Sequence, residues 1–82
     1  MNKLQILGRE GHKELVWEHE RVEAQDPEAL AAIAEAEQIL EDALARGHVA
    51  FRVDSPDKPA VRINQFDWTA PRTIIVPRLV GG

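Results

Sequence analysis

The segment from Asp26 to Gly47, DPEALAAIAEAEQILEDALARG, constrains the fold of this chain more than any other. Asp26 can cap a helix, Pro27 suits the first helical position, and acids there complement the positive end of the helix dipole. Strong helix formers fill the rest. Leu30, Ile33, Ala36, Leu40, Ala43 and Leu44 recur at spacings that give one apolar stripe. Arg46 falls in the last turn and Gly47 is placed as the left-handed stop. A helix of this length reaches about 30 Å, the width of a small domain. One helix covering one face of a mixed sheet is the economical way to bury the apolar stripes of the other elements.

The flanking segments alternate instead. In KLQIL (Lys3 to Leu7), Leu4 and Ile6 share one face and Gln5 takes the other; in ELVWE (Glu14 to Glu18), Leu15 and Trp17 share a face. The short GREGHK connection, with turn residues Gly8 and Gly11, predicts a β-hairpin. HERVEAQ is charged and unpatterned and is expected to be a solvated connection. After the helix come VAFRV (Val49 to Val53), the breaker cluster DSPDKP, AVRIN (Ala60 to Asn64), a connection through Trp68 and Pro71, and RTIIV (Arg72 to Val76). Pro77 ends the last ladder because it has no N–H to donate. The expectation is an α+β domain over residues 1–76 in the β-grasp order: hairpin, helix, three short strands, one helix on a mixed sheet. Leu30, Ile33, Leu40 and Leu44 should meet a sheet containing Ile6, Trp17, Phe51 and Ile74. Residues 77–82 are expected to form an extended C-terminal tail ending in Gly-Gly.

Size and charge exclude several functions. Eighty-two residues make one domain, which buries only about 60–65% of its unfolded surface and leaves little room for a deep active site. The net charge of −4 argues against nucleic acid or an anionic membrane as partner. Without cysteine there is no disulfide, thiolate nucleophile or cysteine-based zinc site. The N-terminus lacks a signal-peptide core, and no apolar run approaches the roughly 20 residues that span a bilayer. The expected location is cytoplasmic.

Catalytic residues are also hard to assemble. His12, His19 and His48 have no metal-ligand spacing. Ser55, the one serine, sits in a turn cluster without a nucleophile elbow. Glu35, Glu37, Glu41 and Asp42 fall on the solvated side of the helix, where paired carboxylates do not separate their pKa values. Trp17 reads as core, and Trp68 as a partly exposed aromatic that either contacts a partner or packs at the edge of the core. No enzyme, catalytic residue, metal site or bound cofactor is expected.

The ending PRLVGG is what remains. Extended, its six residues reach about 20 Å. Gly81 and Gly82 can thread a channel that excludes any Cβ, and Gly82 presents an unhindered carboxylate. Arg78 offers a guanidinium that a partner carboxylate can grip, and Leu79 and Val80 offer apolar anchors. This is the chemistry of an acyl donor activated by another protein, which must also supply the nucleophile.

The β-grasp order followed by RLVGG resembles ubiquitin and its relatives, which end in a similar Arg-Leu-Arg-Gly-Gly. Arg78, Leu79, Gly81 and Gly82 match that pattern, and Val80 replaces its second arginine. More fully, the chain is similar to the bacterial ubiquitin-like modifiers found beside activating enzymes, conjugating enzymes and JAMM-type peptidases in defence-associated gene clusters. The likeness runs through LQIL, LVW, ALARGHVAFRV, QFD and IIVPRLVGG. It implies adenylation of Gly82 by an activating enzyme that uses ATP and Mg, with Gly81, Val80, Leu79 and Arg78 recognised by that enzyme. Thioester transfer to a cysteine, conjugation to target amines and removal by the peptidase would follow. Two alternatives share the fold: a sulfur carrier whose Gly82 becomes a thiocarboxylate, and a non-conjugated binding module with an incidental tail.

Overall fold

The computed structural model describes residues 1–8 and 11–77. Two strands, β1 (Asn2–Gly8) and β2 (Gly11–Trp17), pair antiparallel from Asn2↔Trp17 to Gly8↔Gly11. The connecting Arg9 and Glu10 lie outside the described residues. A short helix, α1 (His19–Glu23), leads into the main helix α2 (Pro27–Ala45). Then follow β3 (Val49–Val53), β4 (Val61–Ile63) and β5 (Arg72–Val76). The sheet order is β2-β1-β5-β3-β4, with β5 parallel to β1 and antiparallel to β3. The result is an α+β fold with a five-stranded mixed sheet and one main helix.

The ends of α2 are built as the sequence predicts, except that Arg46 is the C-cap just beyond Ala45 and the last turn holds no basic residue. The Asp26 carboxylate accepts a hydrogen bond from the Ala29 N–H at 3.1 Å, with Pro27 in the first turn. At the other end Gly47 takes φ 85°, in the left-handed region that favours glycine. Its N–H donates to the Leu44 carbonyl, and the His48 N–H reaches back to that of Ala43. This pair of reversed bonds is a Schellman ending.

The buried stripe of α2 differs from the expected one at its start, where Ala29 takes the place of Leu30. Ala29, Ala36, Leu40 and Ala43 are buried, with Ile33 and Leu44 packed beside them. Leu30 is 43% exposed. Ala29, Ile33, Ala36, Leu40 and Ala43 succeed one another by four and three residues, and Leu30 lies about 100° around the helix from Ala29. That rotation takes it off the packed face.

The sheet face meeting α2 carries Leu4, Ile6, Leu15, Trp17, Ala50, Ile63 and Ile75. Phe51 and Ile74 were expected there and are not. Ala50 and Ile75, each fully buried, are their neighbours in sequence, and successive strand residues point to opposite faces. Phe51 instead pairs with Ile74 on the helix-free face, as Val49 does with Val76. The physical reason is space. The helix offers alanines at 29, 36 and 43 and so comes close to the sheet, where Ala50 fits and a phenyl ring would overfill the layer.

HERVEAQ is not an open connection either. Val22 is 8% exposed and anchors α1 to the core cluster. His19 and Glu23, one turn apart, approach to 2.5 Å, and Gln25 closes the turn at φ 59°. Two apolar residues in seven, Val22 and Ala24, leave no periodicity to read, so α1 is invisible to pattern analysis.

Candidate functional site

The residues proposed from sequence as functional, Arg78, Leu79, Val80, Gly81 and Gly82, lie outside the described residues. The structure describes the strand from which they depart. β5 is the central strand, hydrogen-bonded to β1 on one side and to β3 on the other. Thr73 and Ile75 are fully buried. The ladder runs to Val76, opposite Val49, and Pro77 then withholds the next donor. A segment beginning at Pro77 is thus rooted in the middle of the sheet.

The approach to β5 is fixed by the loop from residue 64 to residue 71. The buried Asn2 side chain donates from Nδ2 to the carbonyls of Ala70 at 3.0 Å and of Trp68 and Thr69 at 3.3 Å. Trp17 Nε1 donates to the same Trp68 carbonyl at 3.0 Å. The Lys3 N–H reaches the Pro71 carbonyl. The loop's inward carbonyls are therefore satisfied by the first β-hairpin, as buried acceptors require. The Trp17 and Phe66 rings meet edge to face at 5.8 Å, and the His19 ring lies 4.8 Å from that of Trp68. Trp68 is half-buried and packs against the core.

Asp67 organises the outer side of this loop. Its carboxylate accepts from the Thr69 hydroxyl and the Thr69 N–H, an Asx turn, and from Arg52 Nη1 at 2.6 Å. The Thr69 hydrogen bond, then the Arg52 charge, holds its pKa below the ordinary 3.8. Arg52 also donates from Nε to Asp54 at 2.8 Å, the main cause of its raised pKa. This network is spent on fixing the β3 end and the loop. Asn2 and Asp67 escaped the sequence reading; only the Asp-Trp-Thr turn pattern could have marked the second.

The other candidates are a turn serine and a row of exposed acids. Ser55 donates to Asp57 at 2.7 Å within its turn, lowering the Asp57 pKa. Glu35, Glu37, Glu41 and Asp42 are exposed on α2. Among the described residues no group of three His, Asp or Glu side chains could hold a metal ion. Nor is any described helix long and apolar enough to cross a membrane.

These features define a small α+β protein whose last strand is its central one, with a diglycine sequence beyond it. Comparison of the chain with protein-family models, with curated proteins and with solved structures gives no match.

Proposed function

We propose that this protein is a ubiquitin-like modifier of β-grasp fold that acts through its own C-terminal carboxylate. The observation that carries this reading is the sequence Arg78-Leu79-Val80-Gly81-Gly82 following a fully paired central strand. The strand order 2-1-5-3-4 with a helix after the first hairpin supports the β-grasp reading. In the proposed reaction the Gly82 carboxylate attacks the α-phosphorus of ATP on an activating enzyme and expels pyrophosphate. A cysteine thiolate of that enzyme then displaces AMP, leaving Gly82 as a thioester. Passage to a conjugating enzyme's cysteine precedes attack by a target amine, which forms an amide and releases the thiol. A JAMM-type peptidase would reverse the last step by hydrolysis.

This chain contributes position and access. Gly81 and Gly82 carry no Cβ to obstruct a narrow channel, Arg78 can pair with a partner carboxylate, and Leu79 and Val80 supply apolar contacts. The test is incubation of the full chain with ATP–Mg and a cysteine-bearing adenylating enzyme, read by intact mass. The expected product is a thiol-sensitive covalent adduct through Gly82. A gain equal to replacement of one oxygen by sulfur, when a sulfur donor is added, would instead establish a carrier. Absence of both products across such enzymes would leave the protein a binding module.

A further inference from the structure

A groove of about 300 Å³ runs between α2 and the loop that follows β4. Its floor is Leu40, with Leu44 and Phe66 half-buried beside it. Glu37 and Glu41 form one wall; Asn64 and Gln65 form the other. Among the described residues no Lys, Arg or His lines it. Among the described residues neither glutamate belongs to an ion pair. The side-chain hydrogen bonds likewise leave both glutamates and both amides unused. Glu37 and Glu41 stand one helical turn apart, where like charges repel. The groove beside Met1 differs, because Arg21 stands there among its acids.

We infer that this groove is a docking site for a partner-protein segment in which an arginine adjoins an aliphatic residue. Charge complementarity selects the arginine: among the described residues two carboxylates outside any ion pair face an opening lined by no cation. The nearest arginines, Arg52 and Arg62, line the adjoining groove across residues 64–66. The guanidinium has five donors in a planar fork, enough for the carboxylates and for the side-chain oxygens of Asn64 and Gln65. Its aliphatic stem and the neighbouring apolar residue cover Leu44 and Phe66. This surface is formed by residues 37–44 and 64–66, and the inference does not depend on the chemistry of Gly82.

The test is an amide-resolved NMR titration of the full chain with the acetylated, amidated tetrapeptide Ala-Leu-Arg-Ala, alongside Ala-Leu-Glu-Ala. The arginine peptide should give saturable shifts concentrated at Glu37, Glu41, Leu44, Gln65 and Phe66, weakened by added salt. The Glu37→Gln/Glu41→Gln double variant, whose two sites are exposed, should keep the native spectrum and bind about fivefold more weakly. Equal shifts with the glutamate peptide, shifts elsewhere on the surface, or undiminished binding by the double variant would overturn the assignment. So would concentration-dependent self-association that the double variant abolishes, since the occupant would then be a second copy.

Discussion

The two faces of the sheet follow different rules. On the helix-covered face the buried residues are graded in size. Leu4 and Ile75 lie with Ala50 beneath a helix that presents Ala29, Ala36 and Ala43 around Leu40. On the open face residues of comparable size stand half-buried in cross-strand pairs, Phe51 with Ile74 and Val49 with Val76, covering one another. The difference teaches that size does not decide which side of a strand faces in. The covered face is set by how closely the helix approaches, and small helix residues make that approach close. A reading that sends the largest residue inward puts Phe51 on the wrong side.

The sharpest way to break this comparison is to cut each face once. Leu40→Ala removes a side chain that is 1% exposed and should cost about 2–5 kcal/mol. Phe51→Ala, on the open face, should cost about 1–2 kcal/mol, a fraction of the full-burial value for phenylalanine. Urea unfolding of both variants decides the matter: a larger loss from Phe51→Ala would mean the covered face had been misassigned.

Thr73 sharpens the comparison from another side. It is fully buried on the covered face, and among the described residues its hydroxyl has no hydrogen-bond partner. Thr73→Val keeps the shape and removes the unpaired group, and should raise stability by about 1 kcal/mol. A loss of stability would show that the hydroxyl is satisfied, for instance by a buried water.

The smallest effect concerns the loop leading to β5. Because the folded pKa of Asp67 is depressed, its contribution is complete above the ordinary carboxylate value of 3.8. It is lost as pH falls through the lower folded value. Asp67→Asn should therefore flatten the acid limb of the stability–pH curve while leaving its neutral-to-basic shape unchanged. An acid limb identical to that of the parent would assign the dependence to other carboxylates.

Much of the fold was legible because local chemistry and tertiary packing agree. The Asp26 cap, the Gly47 stop and the alternation of Leu4, Ile6, Leu15 and Trp17 all appear where the sequence puts them. What was not legible depends on contacts between distant segments. α1 is held by the single buried Val22, Asn2 serves carbonyls more than 60 residues away, and Leu30 is exposed by a rotation that periodicity alone does not resolve. The groove beside Glu37 and Glu41 joins a helix to a loop and has no signature in either. For the tail the position is reversed. Its five residues carry their chemistry in their order, and they lie outside the described residues.

The most direct test of the functional proposal separates stability from acyl transfer. Deleting Gly81 and Gly82 should leave the melting temperature within about 1 °C of the parent, since a terminal segment contributes little unless tied down. The same deletion should abolish every ATP-dependent covalent adduct with the activating enzyme. Adducts formed undiminished by the truncated chain would contradict the claim that the Gly82 carboxylate is the reacting group.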